Sequence, residues 1–374
     1  MKIVADDKIP FLKGAFEPYA DVLYLPGKDI SKSVLKDADA IITRTRTKCD
    51  QSIIEGSKVK FIGTATIGFD HIDTIYCEAN GIKWTNAPGC NSSSVCQYIS
   101  SALLYLANKK HKSIKDMTLG IVGVGNVGSK VAHFASAVGM KVLLNDPPRQ
   151  REEGGECFVD LNTVLKESDI VTVHVPLTRS GADATYHLFN EDTIGSMKPT
   201  AWLINSSRGE VVDNIALKKF LTEKSISEAV LDVWENEPNI DIDLMNETIL
   251  STPHIAGYST DGKAKGTSMI VRSLSDYFDM PLKTWYPSDI PYPAQNEFCI
   301  DGKGKDTQTI LWEAIKHTYD ISLDSDALRA DPSMFESLRG SYWVRREFPA
   351  FTIKVKHCND KAKSLLKGIG FNIF

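Results

Sequence analysis

The sequence predicts an α/β protein built on doubly wound parallel sheets, followed by a small C-terminal α+β domain. Three observations carry this. Over about the first 280 residues, short apolar runs rich in β-branched side chains alternate with segments of helical period. Those runs are apolar on both sides, as strands covered on two faces must be. At 123–128 a glycine-rich turn joins one such run to a helix pattern.

The strand candidates, in order, are Lys2–Ala5, Ala40–Thr43, Lys60–Ala65, Leu119–Val122, Lys141–Asn145, Ile170–Val175, Ala201–Ile204, Ala229–Val233 and Ile249–Thr252. Helix patterns such as Val127–Val138 and Asn214–Leu221 lie between them. Two longer patterns, near Ser92–Lys109 and Asp261–Phe278, suit helices that link one α/β domain to another. At 281–298, "PLKTWYPSDIPYPAQNEF" holds four prolines and reads as an extended linker. Beyond it the spacing predicts helices over Thr307–Tyr319 and Pro332–Glu347, a strand at "FTIKVKH" and a helix at "DKAKSLLKGIGF".

Bulk properties narrow the function. The 374 residues are 42% hydrophobic and 24% charged, ordinary for a globular protein of two or three domains. A net charge of −5 offers no general attraction for a phosphate backbone, so nucleic acid is not an expected partner. No run approaches the length of a membrane span, and "MKIVADDKIP" has no signal-peptide core, so no membrane partner is expected. Seven cysteines without a C-x-x-C spacing argue against a disulfide framework or a metal cage. The expected compartment is the cytoplasm, and no metal is expected.

"TLGIVGVGNVGSKVAHFASAVGMKVLLNDPP" (118–148) names a cofactor. Gly123 permits a tight turn, Gly125 lets backbone N–H groups approach a pyrophosphate, and Gly128 lets the helix pack on the strand. Asn126 and Val127 lie within the same loop. The turn follows a strand and opens a helix, and a second strand ends at Asp146 about 20 residues on, where a carboxylate holds the ribose 2′-hydroxyl. That acid favours NAD over a 2′-phosphorylated dinucleotide, although Arg149 nearby softens the repulsion.

Three polar groups follow strand ends: Arg208 in "INSSRGEVVD", Glu237 in "VLDVWENEP" and His254 in "ILSTPH". Ligands of open α/β sheets sit beyond those ends. Gly209 beside the arginine leaves room for something to come close. Oxidation of a secondary alcohol needs a base that titrates near neutrality, a carboxylate to fix its tautomer, and, for a 2-hydroxy acid, a guanidinium fork for the substrate carboxylate. Each residue also has a structural alternative; their common topology beside a dinucleotide loop favours the catalytic one.

These stretches resemble the D-isomer-specific 2-hydroxyacid dehydrogenases. "GIVGVGNVG", "LINSSRGEVVDNIAL", "VLDVWENEP" and "TPHIAGYS" fall in family order over about residues 1–280. The resemblance implies a Rossmann dinucleotide domain, 93–261, inserted into a flavodoxin-like substrate domain, 1–92 and 262–285, with the active site in the cleft. It implies catalytic roles for Arg208, Glu237 and His254, with His254 the proton acceptor. Gly123, Gly125, Asn126, Val127, Asp146, Val175, Ser206, Ser207, Asp232 and Gly257 are the implied cofactor contacts, Val175 through its backbone alone. Arg44, Thr45, Thr66 and Tyr258 are implied to touch substrate. His174 carries no family role and reads as structural, as does Cys90 in "APGCN".

"GTATIGFDHID", "APGCNSSSV", "HIAGYSTDGKAKGT" and "YWVRREF" further resemble family members that oxidise a small phosphorylated 2-hydroxy acid. Such a substrate needs cations placed locally, and Arg44, Arg46, Arg345 and Arg346 are the candidates. Residues 286–374 are implied to form a dimerisation domain, so a homodimer is expected, with Arg346 bound to the phosphate. Other activities of the family remain open, such as phosphoglycerate dehydrogenase or hydroxypyruvate reductase. So does a dinucleotide-sensing binding protein.

Overall fold

The computed structural model describes residues 1–374, which divide into two compact units: Met1–Asn91 with Thr260–Pro291, and Ser92–Ser259 with Tyr292–Phe374.

The first unit holds β1 (Lys2–Asp6), β2 (Asp21–Leu25), β3 (Ala40–Thr43), β4 (Phe61–Thr64) and β5 (Lys83–Thr85), all parallel, in the order β2-β1-β3-β4-β5. That is the flavodoxin-like doubly wound order. Alternate residues of the central strands serve opposite cores. Ile3, Ala5, Ile42 and Phe61 pack with Ile270 and Leu274, whereas Val4, Ile41 and Ile62 pack with Leu35, Ile54 and Cys77. Helix Thr260–Tyr277 lies so close to β4 that a Cβ on Gly63 would be 2.5 Å from Ile270 Cγ2. The edge strands β2 and β5 hold no fully buried residue; β5 lacks an apolar run and hydrophobic pattern alone overlooks it, whereas β2 carries one at residues 22–25 that is not among the strand candidates above.

The second unit holds β6 (Thr118–Val122), β7 (Lys141–Asn145), β8 (Ile170–Val173), β9 (Trp202–Asn205), β10 (Glu228–Leu231) and β11 (Leu250–Ser251). They form one parallel sheet in the order β11-β10-β9-β8-β6-β7. A single parallel bridge from Leu144 to Phe158 extends the sheet beyond β7, completing the Rossmann order. Strand order reverses between β6 and β8, so the loops after these strands flank the switch point where such sheets bind ligands. Ile121, Ile170, Ile204 and Val230 meet helix Ser92–Lys109, and Val122, Val171, Leu203 and Leu231 meet Leu217 and Leu244 on the other face.

Residues 292–374 add β12 (Glu297–Asp301), β13 (Thr352–Lys356) and β14 (Asn372–Ile373), a parallel sheet in that order. Ile310, Leu311, Ala314 and Ile315, on helix Thr307–Thr318, belong to the same apolar cluster as Ile99 and Leu103, so this segment shares the core of its unit. The helix expected over Pro332–Glu347 is shorter. A 3₁₀ turn, Pro332–Met334, leads into helix Phe335–Gly340, and residues 342–347 run without helix and carry Arg345 into the interior. No helix is long and apolar enough to cross a membrane, and all seven cysteines are free.

Candidate active site

The loop after β6 has a backbone that suits the three tasks its glycines suggest. Gly123 has φ +88°, and a Cβ there would be 2.7 Å from the carbonyl carbon of His174. A Cβ on Gly128 would overlap the carbonyl oxygen of Gly123, so only glycine lets the helix Asn126–Ala137 start this close to the turn. Gly125, by contrast, has open space where its side chain would be, and no side chain caps the helix that follows it. The first backbone N–H groups of that helix therefore face room for an anion. Asp146 Oδ2 accepts the amide of Val124 at 2.8 Å, which ties the ribose-acid position to the glycine loop. Its Oδ1 caps helix Pro147–Glu153 through the Arg149 amide. The Arg149 guanidinium is paired with Glu153 at 2.7 Å and donates to Val124 O. Ser206 Oγ is buried without a protein partner, as a hydroxyl awaiting a ligand would be. These residues fit a bound dinucleotide.

Across the switch point, the His174 amide donates to Val122 O at 2.7 Å, and its Nε2 pairs with Thr172 Oγ1 at 3.0 Å. Burial pushes the imidazole down to about 3, so it stays neutral. It is a structural histidine. Val175, next along, packs its side chain toward Gly123.

Arg208 stands exposed at the end of the loop after β9, with Nη1 donating to Ser207 O at 2.8 Å. Asn205 builds this loop: its Oδ1 accepts Ser207 N and Ser207 Oγ, and its Nδ2 donates to Arg208 O. The glycine beside Arg208 does not make room for a ligand. A Cβ on Gly209 would overlap the carbonyl of Trp234 and lie 2.6 Å from Glu235 N. The loops that carry Arg208 and Glu237 are pressed backbone to backbone.

Glu237 is held at both oxygens. Oε1 accepts the Trp234 amide at 2.9 Å, and Oε2 meets His254 Nδ1 at 2.7 Å. With a carboxylate as acceptor, Nδ1 carries the proton and Nε2, which has no protein partner, is left as the basic nitrogen. His254 itself sits at φ +56°, left-handed backbone that costs a residue with a Cβ. Asp232 holds it there: the Asp232 carbonyl accepts His254 N at 2.7 Å, and its carboxylate accepts Ile255 N and Ala256 N at 2.8 Å each. Thr252 Oγ1, backed by Tyr98 OH, donates to the same carboxylate. Burial raises the Asp232 carboxyl above its ordinary range. Asp232 is thus the keystone of the histidine loop, whatever it offers a cofactor. Gly257 and Tyr258 continue this loop, half-buried, with Tyr258 edge-on to Tyr342.

The remaining candidates stand as follows. In the first unit Arg44 donates to Lys8 O at 3.1 Å, Thr45 and Arg46 are exposed, and Thr66 Oγ1 bonds Thr64 Oγ1 and Gly68 O. Cys90 is buried in that unit's core. In the second unit Arg346 is 9% exposed, and its carbonyl accepts Gln97 Nε2. Arg345 is fully buried, over the Tyr319 ring, and so is removed from the set of solvent-facing phosphate candidates.

Comparison with known proteins decides the family. A model described as "D-isomer specific 2-hydroxyacid dehydrogenase, NAD binding domain" matches residues 104–256. The erythronate-4-phosphate dehydrogenase of Bacteroides fragilis is 49% identical over 95% of this chain and 99% of its own length. That of Proteus mirabilis is 40% identical over 100% of this chain and 99% of its own. The chain belongs to the D-isomer-specific 2-hydroxyacid dehydrogenases. It is therefore an oxidoreductase, and it carries the NAD-binding domain of that family. Among solved structures, D-lactate dehydrogenase from Aquifex aeolicus, complexed with NAD and lactic acid, matches with a TM-score of 0.60 and 27% identity, over 75% of this chain and 96% of that one. The NAD⁺-bound 3-phosphoglycerate dehydrogenase of Entamoeba histolytica matches with a TM-score of 0.60 and 25% identity, over 75% and 95%. A "Domain of unknown function (DUF3410)" matches residues 290–370.

Sequence reasoning about this dehydrogenase passed over Asn205, Trp234 and Thr252, which build the loops rather than end them. Asn205 was open to detection, as an amide closing an otherwise apolar strand in "WLIN". Trp234 and Thr252 gave no such signal, because the partners of their side chains, Thr252 O for Trp234 Nε1 and Asp232 Oδ1 and Tyr98 OH for Thr252 Oγ1, are distant in sequence.

Proposed function

We propose that this protein oxidises the 2-hydroxyl of 4-phospho-D-erythronate to the 2-oxo acid with NAD, in the cytoplasm, on the way to pyridoxal 5′-phosphate. The chemistry rests on one observation, the Glu237–His254 pair with Nε2 left free. The choice of substrate rests on full-length similarity to erythronate-4-phosphate dehydrogenases, including the C-terminal region.

In this reading His254 Nε2 removes the proton of the substrate hydroxyl as the C2–oxygen double bond forms. The glycine loop and Asp146, with Val175, Ser206, Ser207, Asp232 and Gly257, would hold NAD, which would supply the acceptor for the C2 hydride. Glu237 fixes the tautomer and stabilises the imidazolium. Arg208 holds the substrate carboxylate with its fork and polarises the adjacent C2 oxygen. Arg44, Thr45, Thr66, Tyr258 and Arg346 bind the rest of the substrate, and two copies of the chain associate through residues 286–374.

The test is a panel of 2-hydroxy acids, with and without phosphate, assayed for reduced nicotinamide and for coupled turnover with 2-keto acids. Turnover highest with 4-phosphoerythronate supports the reading. Higher turnover with 3-phosphoglycerate or an unphosphorylated acid replaces the substrate, and no turnover at all removes the enzymatic role. A monomer at micromolar concentration in sedimentation rejects the dimer.

A further inference from the structure

We propose that Arg345 is a positioning residue for the base: it clamps the carbonyl of Ala256 and so fixes the loop that presents His254. The inference rests on the reading of His254 as proton acceptor. It gives the region that matches a domain of unknown function a task in the reaction.

Arg345 is 0% exposed, yet a buried guanidinium is a poor stabiliser, because desolvation offsets most of what its partners return. Its partners point to another use. Nη2 donates to Ala256 O and to Ser94 Oγ. Ser94 Oγ in turn donates to Ala256 O at 2.9 Å and accepts the Ser259 amide at 3.0 Å. The guanidinium face lies 4.4 Å from the centre of the Tyr319 ring. The buried carboxylate that acts on it electrostatically is Asp324, which accepts Tyr319 OH at 2.9 Å, Tyr342 OH at 2.6 Å and Trp343 Nε1 at 3.3 Å. Nη2 thus gathers the bonds of the guanidinium on Ser94 and on the carbonyl of Ala256, whereas Nε and Nη1 are buried without a partner.

That carbonyl belongs to the segment with the strained base. The amides of His254, Ile255 and Ala256 all donate to Asp232. Asp232 therefore pulls on the N–H groups, and Arg345 with Ser94 pulls on the carbonyl that ends the same stretch. A left-handed φ at His254 persists only where the surroundings over-determine it. The neighbouring residues are stitched down as well: Ser259 Oγ donates to Glu347 Oε1 at 2.8 Å, and Gln97 Nε2 donates to Arg346 O at 3.0 Å. Releasing the clamp lets the loop relax and lengthens the His254–Glu237 bond.

The test is Arg345→Gln in the full-length protein, read by steady-state kinetics across pH, NAD affinity and NMR titration of the His254 ring in the NAD complex. The clamp predicts a kcat about tenfold lower, with NAD affinity within about twofold of the unmodified protein. It also predicts an acid limb moved to lower pH, as in Glu237→Gln, and partial rescue by Arg345→Lys. Combined with Glu237→Gln, the loss stays close to that of the worse single variant, because both act on one bond. Unmoved kcat, acid limb and His254 titration in a folded Arg345→Gln overturn the proposal, and so do losses that multiply. Should that variant not fold, Ser94→Ala is read by the same measures, and an unmoved His254 titration there overturns it. The NMR arm needs no turnover. It therefore judges the clamp even if no 2-hydroxy acid is oxidised, an outcome that would overturn the functional reading instead.

Discussion

Glu237 and His254 form a 2.7 Å bond whose carboxylate is itself anchored by the Trp234 amide, so the imidazole is oriented by a group that cannot swing away. Replacing Glu237 by Gln keeps the shape and removes the charge that favours the imidazolium. The base then stays deprotonated to lower pH, so the acid limb of kcat/KM for alcohol oxidation moves to lower pH. The plateau falls by about ten- to a thousandfold as the tautomer is lost. A fully active variant with an unmoved limb would show that the pair is not catalytic.

The Asp146 carboxylate accepts the amides of Val124 and Arg149 beside the glycine loop, and the Arg149 guanidinium is occupied by Glu153. The protein is expected to bind NAD far more tightly than NADP in calorimetric titration. Asp146→Ser narrows the gap by removing the repulsion of a 2′-phosphate. Equal affinities in the unmodified protein would sink this assignment.

Arg208 makes only one hydrogen bond, from Nη1 to Ser207 O. Arg208→Ala should cost on the order of 3 kcal/mol or more of transition-state stabilisation for phosphorylated and plain acids alike. Arg208→Lys should recover little, since a point charge cannot bind a carboxylate with two parallel bonds. Near-normal kcat/KM with lysine would remove the fork from the mechanism.

Gly209 touches backbone, and backbone cannot move aside as a flexible side chain can. Gly209→Ala should therefore lower the free energy of unfolding by roughly 1–3 kcal/mol. It should also depress kcat by parting the two loops. Thermal unfolding and steady-state rates check both; a variant with unchanged midpoint and unchanged rate refutes the contact.

His174 stays neutral in the folded protein down to about 3, whereas in the unfolded chain it takes a proton below its ordinary value of 6.5. Its folded value is depressed, so full stability is present above about 6.5 and is lost progressively as the pH falls. His174→Asn should shrink the stability difference between pH 7 and pH 5 by up to about 2 kcal/mol. Burial also lowers His71, so the pH dependence will not vanish. A variant whose pH dependence matches the unmodified protein rules His174 out as the cause.

What the sequence made legible follows from what repeats or recurs nearby. β3, β4, β6, β8 and β9 are buried runs, and their short, largely apolar stretches mark them. The glycine loop was legible because three glycines at fixed spacing do three mechanical jobs. Arg208, Glu237 and His254 were found by where they stand after strands. The edge β2 carried a legible apolar run at residues 22–25, whereas the edge β5 was not legible, because its three residues hold none. Nor was the burial of Arg345. A guanidinium in "YWVRREF" looks solvated until Tyr319, Tyr342 and Asp324, none of them predictable neighbours, close around it.

Arg208, Glu237 and His254 follow β9, β10 and β11, three consecutive neighbours in one sheet. Arg44, Thr45 and Thr66 belong to the other unit, built from the two ends of the inserted architecture. On the proposed roles, reaction chemistry and much of substrate choice are thus written in separate stretches of the gene. A descendant can rewrite residues 1–91 and 260–291 to accept a different acid while inheriting its proton-transfer pair unaltered. Grafting those two stretches between relatives is the corresponding route for an engineer.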